Sequence, residues 1–92
     1  MNELENLRER IDTIDKELIA LFEKRMNVVN DIAEYKINNN LPILNQNRED
    51  IVISKVKAIV KNKDYTDSAI DFIKDIMEIS KKFQQKIISK QQ

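Results

Sequence analysis

The chain has 92 residues, with 16 basic and 16 acidic side chains that cancel to a formal net charge of zero, and it contains neither histidine nor cysteine. This balance argues against a basic surface for binding nucleic acid, and the missing side chains exclude imidazole catalysis, thiolate chemistry and the commonest zinc ligands. The charged first ten residues suggest no signal peptide, and no apolar run reaches the roughly 18 residues of a membrane span, so we expect a cytoplasmic protein that does not enter a membrane.

The first predicted element is a very long helix. An apolar pattern with alternating steps of three and four residues predicts that it runs from about residue 3 to residue 38, roughly 50 Å. The apolar residues of this seam, which we expect to be buried, are Leu4, Leu7, Ile11, Ile14, Leu18, Leu21, Val28, Ile32 and Tyr35. A compact chain of this size is only about 30 Å across. We therefore expect a second copy of the chain to cover this helix, in a two-fold symmetric homodimer.

Two shorter helices are expected after it. The asparagines and the single proline of residues 38–42 end the first helix, because Asn tolerates the left-handed conformation and Pro cannot continue a helix. A second helix is predicted at about 46–61 and a third at about 67–89, with Thr66 as its N-cap. The apolar faces of these helices are Val52, Val56, Ile59 and Val60 on the second, and Ala69, Ile73, Ile76, Phe83 and Ile87 on the third. We therefore predict one all-α domain of three helices, spanning residues 1–92.

Polar residues interrupt the apolar faces of the first and third helices. Arg25 takes a seam position, while Arg8 and Lys36 each lie one residue past one. A single seam arginine often fixes the register of a coiled coil, and flanking cations often extend to solvent. Ser80 and Gln84, however, add neutral polar groups to the packing face of the third helix. Because an unpartnered buried guanidinium costs several kcal/mol, the recurrence of these groups indicates a site for an anion.

The spacing of the cations constrains how such a site is built. Arg8 and Arg25 are about 25 Å apart along a straight helix, too far to bind one small molecule together. In an antiparallel pair of first helices that cross near residue 16 or 17, Arg8 of one copy falls beside Arg25 of the other. This arrangement predicts two equivalent sites per dimer. Lys36 is about 16 Å from Arg25, within reach of a shared metabolite.

The chemistry available to this site is limited. Glu49 is the only carboxylate expected near the cations, whereas paired-carboxylate hydrolysis needs two, and no arrangement of serine with a base is evident. Cations with Ser, Gln and Asn suit a polyanionic ligand and a reaction that needs orientation and electrostatic stabilisation. A unimolecular rearrangement fits this inventory, and binding without chemistry fits it equally well.

The order of these residues resembles a known family. The segment LRERIDTIDKELIALFEKR, then Lys36, the loop LPILNQNRE, and finally Ser80 and Gln84 are similar to the all-helical chorismate mutases of the AroQ class. The resemblance covers essentially the whole chain. It implies an intertwined helical homodimer that converts chorismate to prephenate by a Claisen rearrangement, with no cofactor and no metal.

The resemblance also implies how the substrate's carboxylates are held. Arg25 and the partner's Arg8 would bind the two carboxylates of chorismate. Arg48 would support this anion-binding wall, and Ser80 would line its carboxylate end.

Four further residues take roles by the same resemblance. Lys36 and Gln84 would donate hydrogen bonds to the ether oxygen, which gains negative charge as its C–O bond breaks. Glu49 would accept a hydrogen bond from the ring hydroxyl. Many relatives have aspartate where this chain has Asn45, so Asn45 is expected either to contact the substrate hydroxyl or Arg48, or to cap the second helix.

Two alternatives remain open at this stage. An isochorismate–pyruvate lyase of the same fold would use similar cations on a similar dianion. A non-catalytic dimerisation or regulatory module would instead use Arg25 to fix the helix register. The sequence also leaves open whether the domain is free-standing or part of a longer fusion enzyme.

Overall fold

The computed structural model describes residues 2–91 and contains three α-helices with short connections. Helix α1 is Glu3–Asn38, α2 is Gln46–Ile59 and α3 is Thr66–Gln91, with a 3₁₀ turn at Lys63–Tyr65 before α3. Within residues 2–91 no strand forms. These features confirm the predicted all-α fold with a first helix much longer than the others.

Asparagine residues mark both ends of helix α1. The Oδ1 of Asn2 accepts a hydrogen bond from the backbone N–H of Glu5 at the start of α1. At the other end, Asn40 adopts the left-handed conformation with φ of 56°, and the N–H of Leu41 reaches back to the carbonyl of Lys36 at 2.9 Å. Asn is one of the few residues that take this conformation at low cost. Helix α1 therefore ends at Asn38, as predicted.

The boundaries of the other helices differ in detail from the sequence expectation. Helix α2 ends two residues before the predicted position, because Val60 leaves the helix with ψ of 118°. Thr66 is not an N-cap: its φ and ψ of −57° and −49° are helical, and it is the first residue of α3. The 3₁₀ turn leads directly into α3, and the capping side chain belongs to Asn62, whose Oδ1 accepts from the N–H of Asp64.

Helix α3 packs against both other helices. The buried apolar residues are Val29 and Ala33 on α1 and Met77 on α3. The apolar residues predicted for the packing face of α3 are half-buried. On α2, the prediction that Ile59 belongs to the packing face was wrong, since this residue remains 72% exposed. Two polar side chains, Ser80 and Gln84, are buried in this small core.

The predicted seam of α1 is not buried by its own chain. Each of its apolar side chains remains between 42% and 63% exposed, because α3 packs on the neighbouring face that carries Val29 and Ala33. The molecule measures 55 × 27 × 15 Å with a radius of gyration of 16.6 Å, compared with about 12 Å for a compact chain of this length. A long apolar stripe therefore lies open along α1. No helix in the described part of the chain is both long and apolar enough to cross a membrane.

Candidate active site

One cavity contains most of the residues that the sequence singled out. It has a volume of about 250 Å³ and lies where α3 meets the second half of α1 and the start of α2. Seven of the eight predicted site residues line it: Arg25, Lys36, Asn45, Arg48, Glu49, Ser80 and Gln84. A second depression is lined by residues of α2 alone. The cavity beside α3 is thus the place where three helices bring side chains together.

Helical periodicity explains why these side chains converge. Along α1, Arg25, Val29, Ile32 and Lys36 follow steps of four, three and four residues, so they share one face. The same spacing on α3 aligns Met77, Ser80, Lys81 and Gln84. The first turn of α2 closes the cavity with its cap residue and with Arg48 and Glu49.

Arg25 extends from α1 to α3 and donates a hydrogen bond to the hydroxyl oxygen of Ser80. Ser80 in turn donates to the carbonyl of Ile76 at 2.8 Å. Burial lowers the pKa of Arg25 by desolvating its guanidinium. Among residues 2–91, no carboxylate lies within ion-pair distance of Arg25. Its positive charge is therefore held in place by a neutral partner and is not neutralised.

Lys36 and Gln84 form a second polar pair across the same helices. The Nζ of Lys36 donates to the carbonyl of Ile43 at 2.8 Å and to the Oε1 of Gln84 at 3.2 Å. Burial lowers the pKa of Lys36, again through desolvation. Gln84 is only 6% exposed. Since its oxygen accepts from Lys36, its amide NH₂ group is the part left to donate.

The first turn of α2 supplies the remaining polar wall. The Oδ1 of Asn45 accepts from the backbone N–H of Arg48 at 3.0 Å, which makes Asn45 the N-cap of α2. This is one of the two arrangements expected for Asn45. The side chain of Arg48 also lines the cavity, and no carboxylate of the described residues pairs with it.

Lys81 also lines the cavity, although it was not among the site residues predicted from the sequence. Its Nζ lies 3.3 Å and 3.4 Å from the two carboxylate oxygens of Glu49 and 3.1 Å from Glu78. The hydrogen bond to Glu78, and then that to Glu49, raise the pKa of Lys81. The available signal was its position four residues after Met77 and three before Gln84, on the face that carries Ser80.

Five apolar residues that were not predicted as site residues also line the cavity: Val29, Ile32, Ile43, Val52 and Met77.

The charges around the cavity are strongly unbalanced. In the described part of the chain, the lining residues include four cations, Arg25, Lys36, Arg48 and Lys81, and one carboxylate, Glu49, which gives a formal charge of +3. Arg8 does not take part: it is exposed on α1, about 25 Å from Arg25 along the helix. The cavity is thus suited to a small polyanion, with hydrogen-bond donors fixed before it binds.

Comparisons of the sequence with a family model and with known proteins point to the same family. Residues 7–85 match the family model described as chorismate mutase type II. The bifunctional chorismate mutase/prephenate dehydratase of Buchnera aphidicola is 36% identical over 90 residues, which cover 97% of this chain and 23% of that protein. The T-protein of Haemophilus influenzae is 34% identical over 77 residues, covering 84% of this chain and 20% of that protein.

A third relative is similar in length to this chain. The chorismate mutase of Methanocaldococcus jannaschii is 24% identical over 93 residues, covering 100% of this chain and 94% of that protein. The chain thus spans less than a quarter of the two longer relatives. No solved structure matches the chain.

Proposed function

The chain belongs to the chorismate mutase type II family, and we propose that it converts chorismate to prephenate as a single catalytic domain, residues 1–92, without a cofactor. The observation that carries this proposal is the cavity itself, in which Arg25, Lys36 and Gln84 from two helices face one small space. A Claisen rearrangement breaks one C–O bond and forms one C–C bond within one molecule. It therefore needs orientation and charge stabilisation, which this cavity offers, and no nucleophile.

In this proposal the carboxylates of chorismate bind to guanidinium groups. Arg25 binds one of them, held by its hydrogen bond to Ser80, while Arg48 widens the cationic wall. The partner's Arg8 binds the other. A charge pair at about 4 Å is worth on the order of 4 kcal/mol at an effective dielectric constant of 20. Removing any of these cations should therefore lower both the affinity for chorismate and the reaction rate.

The ether oxygen of the substrate is placed between Lys36 and Gln84. As the C–O bond breaks, negative charge develops on this oxygen, and the ammonium and amide NH₂ groups stabilise it. Because both groups are already held in position, little reorganisation is needed during the reaction. Each 1.36 kcal/mol of stabilisation specific to the transition state gives about a tenfold gain in rate.

Glu49 completes the site by accepting a hydrogen bond from the ring hydroxyl. Among residues 2–91 it is the one carboxylate that lines the cavity, and its side chain is 20% exposed. Asn45 contributes through the N-cap that fixes the first turn of α2 and therefore the positions of Arg48 and Glu49.

The proposal includes a homodimer in which the two α1 helices cross antiparallel near residue 16 or 17. Its support is the apolar stripe that runs along α1 and stays exposed in the single chain, from Leu4 at 54% to Tyr35 at 63%. Burying such a stripe against a second copy favours the dimer, because it removes apolar surface from water. The same crossing brings the partner's Arg8 to Arg25 and so supplies the cation that the single chain lacks.

The direct test is to assay the purified protein with chorismate and isochorismate side by side, and to titrate it with a bicyclic dicarboxylate analogue of the transition state. We expect turnover of chorismate to prephenate and one analogue bound per chain, hence two per dimer. Faster elimination of pyruvate from isochorismate would instead assign the lyase reaction. Failure to bind the analogue would favour a module that fixes its dimer register through Arg25 and has no substrate.

A further inference from the structure

Lys81 has no role in the proposed reaction so far, although it lies in the wall of the cavity. Resting on the proposed function, we propose that Lys81 is a positioning residue: it holds the Glu49 carboxylate in the orientation that accepts the ring hydroxyl, and it thereby sets the affinity for substrate. The contact that carries this inference is the approach of one ammonium to both carboxylate oxygens, at 3.3 Å and 3.4 Å.

The position of the pair makes it more than a surface contact. Glu49 is in the first turn of α2 and Lys81 is on α3, so their ion pair joins the two helices at the cavity wall. Side-chain exposures of 20% for Glu49 and 28% for Lys81 show that both are partly shielded from solvent. An ammonium shared by two carboxylate oxygens restricts rotation of the carboxylate, yet each oxygen keeps a lone pair that can accept from a hydroxyl.

A second carboxylate holds Lys81 in place from outside the cavity. Glu78 lies one turn earlier on α3 and contacts Lys81 at 3.1 Å, but its own side chain is 57% exposed and it does not line the cavity. Glu78 thus anchors the ammonium from the solvent side, and Glu49 faces the substrate.

The charge balance shows what removal of Lys81 would do. Without it, the formal charge of the cavity lining falls from +3 to +2, and Glu49 faces a dianionic substrate without the ammonium that pairs with it. A carboxylate that is both mobile and unpaired repels that substrate. The positioning role predicts that this penalty disappears when Glu49 is also neutral.

The experiment is a double-mutant cycle read as steady-state KM and kcat with chorismate. The variants are Lys81→Met, Glu49→Gln and their combination, with Lys81→Arg as the conservative change. Lys82→Met is the matched control, because it removes a neighbouring exposed lysine. Glu78→Gln removes only the outer partner of Lys81. Circular dichroism shows that each variant is folded, and Lys81→Gln replaces the methionine variant if that one is not.

We expect Lys81→Met to raise KM about tenfold while kcat changes by less than about threefold, since the loss is one of substrate binding. Lys81→Arg should keep KM within about threefold of the unmodified protein, and Lys82→Met should keep it within about twofold. Glu78→Gln, which loosens only the outer contact of Lys81, should raise KM by less than Lys81→Met does. With Glu49→Gln already present, Lys81→Met should change KM by less than about twofold, which is the coupling signature of a residue acting through Glu49.

Two results would overturn the inference. An unchanged KM in folded Lys81→Met would show that Glu49 needs no support. An equal rise in KM with and without Glu49→Gln would show that Lys81 attracts the substrate directly and does not act through Glu49. Both differ from failure of the proposed function, which would appear as absence of chorismate turnover in the unmodified protein.

Discussion

Lys36 donates a 3.2 Å hydrogen bond from Nζ to the Oε1 of Gln84, and this bond joins α1 to α3 inside the cavity. The amide of Gln84 is thereby oriented with its oxygen toward Lys36, which leaves the NH₂ group to donate elsewhere. Two donors from different helices are thus held in a fixed relation before any ligand binds. Developing negative charge on a single oxygen is stabilised best by donors arranged in this way.

The role of the Gln84 amide predicts a change of pH profile in Gln84→Glu. A carboxyl group can donate only when protonated, whereas an amide donates at every pH. Activity of this variant should therefore fall as pH rises through the pKa of the new carboxyl, and its optimum should move to acid. The measurement is kcat/KM between about pH 4 and 9. Gln85→Glu, on the exposed side of α3, is the matched control, and a profile of Gln84→Glu that equals this control would remove Gln84 from the ether-oxygen role.

The pKa of Lys36, lowered by burial, predicts an alkaline limit to activity. The reaction needs the ammonium form, so kcat/KM should fall as pH rises through a pKa below the usual lysine value of about 10.4. The contribution of Lys36 to the free energy of unfolding changes with pH in the opposite direction to activity. Because the folded pKa is below the unfolded one, the unfolded chain binds more protons between the two values, and the contribution of Lys36 to stability rises with pH there.

The check on Lys36 is substitution by methionine. Lys36→Met should reduce kcat by about 10²–10³-fold, and its remaining activity should lack the alkaline limb. Lys24→Met removes an exposed lysine from the same helix and should leave both rate and profile unchanged. An alkaline limb that persists in Lys36→Met would assign it to another group.

Arg25→Leu separates stability from catalysis. The guanidinium is partly desolvated and, within residues 2–91, has no carboxylate partner. Replacing it by an apolar side chain should therefore leave thermal stability unchanged or raise it. Activity should fall by about 10²–10³-fold, because one substrate carboxylate loses its cation. Paired thermal melts and kcat/KM values test this, and a folded variant with full activity would contradict the assignment of Arg25.

The sequence predicted well those features that depend on local chemistry. The seam spacing and the asparagines after it were enough to place α1 at Glu3–Asn38, and the polar residues on apolar faces led to one cavity. The prediction that Thr66 caps α3 was wrong, because a 3₁₀ turn continues directly into this helix. The type of turn that precedes a helix depends on contacts that are not local in the sequence. A capping residue and a first helical residue have similar side chains, so composition alone does not separate them.

Features that depend on which faces meet were harder to predict. An apolar seam shows that a helix surface is to be covered, but it does not say by which helix. Within one chain α3 packs on Val29 and Ala33, and the seam beside them stays open. Lys81 was not predicted for a related reason. A lysine next to another lysine is ordinarily expected on the solvent-exposed side of a helix, and the structure shows otherwise only because Glu49 of α2 lies opposite it. Such pairings appear only once α2 and α3 are packed together.

The exposed seam predicts that Ile14→Glu disrupts the proposed homodimer. Ile14 is 54% exposed in the single chain and lies near the proposed crossing point. Because about half of the side chain is still exposed, burying the rest in a dimer contributes about 1–1.5 kcal/mol per chain, and a buried carboxylate adds a further penalty. Light scattering after size exclusion should show a monomer or an unfolded chain. Lys16→Gln makes the same change of net charge on the opposite face of α1 and should remain dimeric; a dimeric, stable Ile14→Glu would contradict the crossing.

The contribution of Arg8 from the partner subunit predicts complementation between two inactive variants. Arg8→Ala and Arg25→Ala should each form homodimers with little activity, because every site lacks one guanidinium. In a mixed dimer, however, the site in the Arg8→Ala chain keeps its own Arg25 and receives Arg8 from the Arg25→Ala chain, so one of the two sites is intact. Random exchange makes half of the dimers mixed, and activity should recover to about a quarter of the unmodified level. No recovery, after light scattering and mass spectrometry have shown that the chains exchange, would mean that Arg8 does not act across the dimer. The carboxylate that it was assigned would then need a cation from within the same chain, and Arg48 is a candidate, because it lines the cavity and pairs with no carboxylate of the described residues.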